Sequence, residues 1–131
     1  MSPVEILFAL QRIPPFESVT DGELEIAAKV LVVRKFAPGA LVLGSGEPFR
    51  RLLIKLDGSW LVDKAELPGV LGVESLLSGV EGPGEIVAGP TGARCLMMTR
   101  GHFFTFINEC PSLLLSLLTR VDKIRSERDF I

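Results

Sequence analysis

Phe36-Ala-Pro-Gly-Ala-Leu-Val-Leu-Gly-Ser-Gly-Glu-Pro-Phe-Arg-Arg-Leu-Leu-Ile-Lys-Leu-Asp-Gly58 is the stretch that decides the fold. Two short apolar runs, Ala40–Leu43 and Leu52–Leu56, are separated by Gly-Ser-Gly-Glu-Pro and bracketed by Pro38-Gly39 and Asp57-Gly58. Apolar runs this short, cut by Gly and Pro, predict strands joined by tight turns. Pro38 presets φ for the first turn position, and Gly39 can take the positive φ that the next one needs. Gly44, Gly46 and Gly58 fall where a small rolled sheet would bend or bulge.

Outward from this stretch, Val30–Phe36 is rich in β-branched residues and reads as a strand leading in. Trp60–Asp63 continues the sheet, and Lys64–Pro68 turns the chain. Ile86–Ala88 and Arg94–Met98 read as two more strands joined by Gly89-Pro-Thr-Gly92. The flanks are helical. Ile6, Leu7, Leu10 and Ile13 keep helical spacing until Pro14-Pro15 removes a donor and fixes φ. Thr20 and Glu23 match a capping box for a helix to about Lys29, with Ile26 and Ala27 facing the core. Thr99 opens a helix to about Glu109, and Ser112 is expected to cap the last one. The expected core includes Leu7, Leu10, Val33, Leu43, Leu53, Ile54, Leu56, Leu76, Val87, Leu96, Phe103 and Ile107.

The totals allow one domain of 131 residues: N-terminal helices over 1–29, a β-roll over 30–98, and C-terminal helices over 99–131. A net charge of −2 without clustered Lys and Arg argues against a nucleic-acid surface. No apolar run reaches the roughly 18 residues of a membrane span, and no cationic start precedes a signal-like core. Cys95 and Cys110 are too few for a zinc site or a disulfide framework, so the thiols are read as reduced and the protein as cytoplasmic. Mean hydropathy of +0.40 is high for a lone soluble domain and suggests apolar surface covered by a partner.

The opening stretch resembles the cyclic-nucleotide-binding domain, the sensor half of catabolite-activator-type proteins; Gly39, Gly46, Glu47 and Gly58 sit on its pattern. Gly69-Val-Leu-Gly72-Val-Glu74-Ser-Leu-Leu-Ser-Gly79 resembles that family's phosphate-binding cassette, a glycine before a one-turn helix ending in Leu-Leu and a glycine. Arg100-Gly-His-Phe103 through Pro111 and Leu113 follows the family pattern too. The resemblance runs from Leu7 to about Val121 and implies a mainly β fold with flanking helices, a double-stranded β-helix or jelly roll. Many relatives continue into a helix-turn-helix reader, so this chain, ending at Ile131, is expected to carry no DNA-binding half.

In that family the cyclic phosphate sits on amides at the start of the cassette helix. A carboxylate after the cassette glycine bonds the ribose, and an arginine about ten residues on pairs with the phosphate. The resemblance therefore assigns ligand contacts to Gly72, Val73, Glu74, Ser75 and Leu76. Here the carboxylate position is Val73, and the arginine position falls in Glu81-Gly82-Pro83-Gly84-Glu85. No arginine lies between Arg51 and Arg94, leaving Lys64 or Arg94 as the substitutes if Glu74 takes the ribose. Leu61–Leu71 leaves little room for the hairpin that usually covers the ligand.

Other chemistry is poorly supplied. His102 is the sole histidine, where a jelly-roll metal enzyme needs several. Cys95, Cys110 and Ser45 have no base placed beside them by any motif. Trp60 could stack a purine but sits as a strand residue suited to the core. The reading is a non-catalytic regulatory module without cofactor or metal, acting through a protein partner or as a homodimer, with cyclic AMP and cyclic GMP not bound. Leu114, Leu117, Val121 and Ile124 form the apolar seam expected to pair the last helix with its twin. The alternative is a sensor of a cyclic nucleotide or another nucleotide messenger at an atypical pocket around residues 72–86.

Overall fold

Ser2 and Glu5 start the first helix, α1 (Pro3–Leu10). The Glu5 amide donates to the Ser2 hydroxyl at 3.2 Å, and the Ser2 amide donates to the Glu5 carboxylate at 3.4 Å. The helix stops before Ile13. The Arg12 and Ile13 amides reach only three residues back, to Ala9 and Leu10, and this tightening precedes Pro14. A 3-10 turn at Phe16–Ser18 leads to α2 (Asp21–Val30). There the Glu23 amide donates to the Thr20 hydroxyl at 3.3 Å, half of the expected capping box. Leu24, Ala27 and Ala28 form the buried face of α2, and Ile26 is 46% exposed, contrary to expectation. Two residues past Leu24 is about 200° round the axis, which carries Ile26 to the opposite side.

A computed structural model describes residues 1–14, 16–113, 115 and 117. The chain divides into two compact units: residues 1–30 together with those described from 101 onward, and Leu31–Arg100. The first holds α1, α2 and the helix α4 (Arg100–Glu109) from Gly101 on. α4 buries Phe103, Phe106 and Ile107. Residues 111–113 are helical again, and the Leu113 amide donates to the Cys110 carbonyl at 3.1 Å. Cys110 thus precedes this helix and Pro111 takes its first position, where a missing N–H costs nothing. Ser112 lies inside the first turn and is not the cap.

The second unit is a six-stranded antiparallel sheet built on two long strands, β3 (Arg51–Val62) and β6 (Ile86–Thr99). β1 (Val32–Phe36) and β2 (Leu41–Leu43) pair with successive parts of β6. β4 (Ala65–Glu66) and β5 (Val70–Leu71) pair with the free edge of β3. Asp57-Gly58 and Gly89–Gly92, expected as turns, are instead irregularities inside continuous strands. The β3–β6 register shifts between Lys55 and Asp57 and again between Gly58 and Trp60. At Gly58 φ is +82°, and a β-carbon would run into the Gly92 carbonyl oxygen. The glycine is there because two strands bend together, which is how a sheet rolls.

Two paired strands do fit between Trp60 and Gly72, correcting the expectation of a missing hairpin. Asp63 and Lys64 both take positive φ, +49° and +68°, and so close β3 onto β4 with a two-residue turn. The Trp60 indole N–H donates to the Pro68 carbonyl at 2.7 Å and ties the returning chain down. Trp60 is fully buried among Phe36, Leu53, Ile86 and Cys95, so it is a core residue. Leu7, Val33, Leu43, Leu56 and Val87 are only half-buried. Strand alternation gives the core to Ile86 and Ala88 instead of Val87, and the bulge beside Lys55 displaces Leu56.

Candidate functional site

The cassette is built on Gly72, whose φ of +103° is one that L side chains rarely adopt. A β-carbon there would stand 2.7 Å from the Arg51 carbonyl oxygen and 3.2 Å from Phe49 Cβ. Helix α3 (Val73–Ser78) follows and ends at Gly79, whose amide donates to the Ser75 carbonyl at 2.7 Å. A helix this short cannot sustain itself, and side chains hold it. The buried Ser75 hydroxyl donates to the Val80 carbonyl at 2.7 Å, and Arg100 Nε donates to the Leu76 carbonyl at 3.2 Å.

Of the five expected contact residues, Gly72 is the pivot. Val73, Ser75 and Leu76 turn inward, and Glu74 is half-buried. Val73 is 3% exposed. Its isopropyl group belongs to the packed interior, where an ionised carboxylate would need a partner. What the cassette could offer an anion is the first turn of amides, which have no intrahelical acceptors, and those alone.

Glu81 and Glu85 are exposed on the loop after α3. Gly82 anchors that loop, its amide donating to the Glu47 carbonyl at 2.9 Å, with the Leu43 side chain where a β-carbon would go. Arg94 is held by Asp57, with Nε and Nη2 at 2.8 and 2.7 Å from one carboxylate oxygen. Lys64 sits in the exposed β3–β4 turn.

Reactive groups elsewhere are quiet. Burial pushes the Cys95 thiol up to about 11, against a smaller opposing pull from Arg34. Cys110 is pushed up to about 12 by burial, by the hydrogen bond to Glu23 and by the Glu23 and Glu109 charges. His102 is exposed on α4. Among the described residues no three His, Cys, Asp or Glu side chains gather into a metal site, and no helix is long and apolar enough to cross a membrane. Of the proposed self-association seam, Leu117 is described and is buried; Leu114, Val121 and Ile124 lie outside the described residues. Sequence reading overlooked a cavity lined from β1, β2, β3 and β6, whose lining includes none of residues 72–76. Its signal was the alternation of Arg34 with Phe36 and of Arg51 with Leu53.

No protein-family model and no curated protein sequence matches the chain. Solved structures match it well. Against cAMP-bound PfPKA-R the TM-score is 0.76 at 14% identity, covering 98% of this chain and 48% of that one. The regulatory subunit of a cAMP-independent protein kinase A from Trypanosoma cruzi, bound to guanosine, gives 0.72 at 19%, covering 90% and 45%. The catabolite activator protein of Thermus thermophilus gives 0.73 at 20%, covering 90% and 61%. The chain thus spans about half the length of the first two. The fold is the jelly roll of cyclic-nucleotide-binding domains, mainly antiparallel sheet with helices before and after it in the chain.

Proposed function

We propose that the chain is a non-catalytic regulatory module that keeps the cyclic-nucleotide-binding scaffold without binding cyclic AMP or cyclic GMP, and that it acts by contacting protein, a second copy included. The observation that carries this is Val73, buried where the resemblance puts the ribose-binding carboxylate. The acidic Glu81–Glu85 loop in place of the phosphate-binding arginine points the same way. An arginine–phosphate bond contributes about 1.5–3 kcal/mol and the ribose acceptor about 0.5–1.5. Losing both costs about 2–4.5 kcal/mol, a weakening of about thirty- to two-thousand-fold. A micromolar parent site would fall to between tens of micromolar and millimolar.

Calorimetric titration with both nucleotides is the test; the expected result is no saturable heat in the low micromolar range. A dissociation constant below about ten micromolar for either would overturn the proposal. A second reading has one observation behind it: the Trypanosoma cruzi subunit is bound to guanosine, a ligand without phosphate. A cassette without arginine suits an uncharged nucleoside better than a phosphodiester. The same titration with guanosine separates the two readings.

A further inference from the structure

The Leu31–Arg100 unit holds an open cavity of about 360 Å³. Its apolar lining comes from Phe36 on β1, Val42 and Leu43 on β2, Phe49 before β3, Leu53 on β3 and Met97 on β6. Arg34, Arg50 and Arg51 line it as well, with Glu47 and Pro48. The pairing follows from strand geometry. Arg34 and Phe36 are two apart on β1, as are Arg51 and Leu53 on β3, so each pair shares a face. Leu53 stands opposite Met97 across the sheet, and Arg51 opposite Thr99 at its end. One face therefore presents an apolar floor with cations at its margin.

Among the described residues no salt bridge holds those cations. Among the described residues the ion pairs are Lys55 with Glu66 and Arg94 with Asp57; none involves Arg34, Arg50 or Arg51. The Arg34 guanidinium stands 4.9 Å from the centroid of the Phe36 ring, which steadies it over the floor. Glu47 also lines the cavity, but its Oε2 accepts from the Gly44 amide at 3.1 Å and is engaged in its own turn. The volume lies at the small end of the roughly 300–1,000 Å³ of ligand pockets, enough for a single ring or a short alkyl chain.

We propose that this cavity binds a small amphipathic anion, separately from the cassette. The apolar body lies on Phe36, Leu53 and Met97, and a carboxylate or similar head meets the forked donors of Arg34 and Arg51. The site is independent of the reading given above for the cassette, since neither its walls nor its cations come from residues 72–86.

Octanoate is the probe, with octan-1-ol and octylammonium as chain-matched controls, followed by calorimetry and by methyl resonances in the whole chain. Octanoate should bind at least about tenfold more tightly than octan-1-ol, and octylammonium should not bind. The double variant R34Q/R51Q changes exposed side chains only and should weaken octanoate about tenfold or more while keeping the native circular dichroism. Val42→Trp, filling the cavity from β2, should abolish binding. Resonances of Met97, Leu43 and Leu53 should shift, and those of Val73 and Leu76 should not. Equal affinity for octanoate and octan-1-ol, undiminished binding by either variant, shifts centred on the cassette, or no binding at millimolar octanoate would each overturn the proposal.

Discussion

Replacing Gly72 by alanine separates two physical demands that meet at the cassette. The first is backbone conformation: φ of +103° costs an L residue about 1–2 kcal/mol. The second is space, because the new β-carbon would meet the Arg51 carbonyl oxygen at 2.7 Å and the Phe49 side chain at 3.2 Å. The carbonyl belongs to β3 and cannot rotate away as a flexible side chain could. Overpacking of that kind adds about 1–3 kcal/mol. Gly46→Ala is the matched control, with φ of +80° and nothing within 4 Å of its β-carbon. It should lose only the conformational share, about 1–2 kcal/mol, against about 2–5 for Gly72→Ala. Urea unfolding with unchanged slope measures both, and the difference reports the contact alone. Equal losses in the two variants would refute the claim that α3 is packed against β3 through this glycine.

Trp60→Phe should cost about 1–3 kcal/mol, because the half-buried Pro68 carbonyl loses its indole donor; chemical denaturation measures it. Both thiols should resist alkylation at neutral pH in the native state and react on unfolding, as followed by mass spectrometry. Their folded values of about 11 and 12 lie above the ordinary 9.0, so the folded state holds protons that the unfolded state releases. Stability from these groups is therefore full below about pH 9 and falls as pH rises toward 11 and 12; the denaturation midpoint should drop over that window in the wild type and less in Cys110→Ala. Light scattering at micromolar concentration is expected to report a dimer, with Leu115, 67% exposed, as a contact residue; a monomer of 14.2 kDa removes self-association from the proposal.

Gly and Pro punctuation made the sheet legible, because tight turns and bulges have few residues that fit them. The same punctuation misled at Asp57-Gly58 and Gly89–Gly92. A glycine demanded by a bulge and one demanded by a turn look alike in one dimension, and only pairing register tells them apart. Asp63-Lys64 was missed for the opposite reason: neither residue is glycine, although both take positive φ in a two-residue turn. Ile26 and Leu56 went wrong by phase, a helix face counted from the wrong residue and a strand face shifted by a bulge. The cavity escaped notice because its walls are brought together by β1–β6 and β3–β6 pairing, contacts distant in sequence.

On the proposed reading, the cassette illustrates how a motif can outlast its ligand chemistry. Gly72 is required by the Arg51 carbonyl and by its own φ whether or not a phosphate is ever bound. Ser75 and Leu76 are held by bonds to Val80 and Arg100, which also serve the fold. None of these depends on charge at Val73 or at residues 81–85. Selection for the jelly roll alone would therefore preserve the glycine spacing and the Leu-Leu ending, while the ribose and phosphate contacts were free to change. The glycine pattern accordingly argues for the fold, and the charged positions argue about the ligand. Under the proposed function the two arguments point in different directions, and the buried isopropyl group of Val73 is where they part.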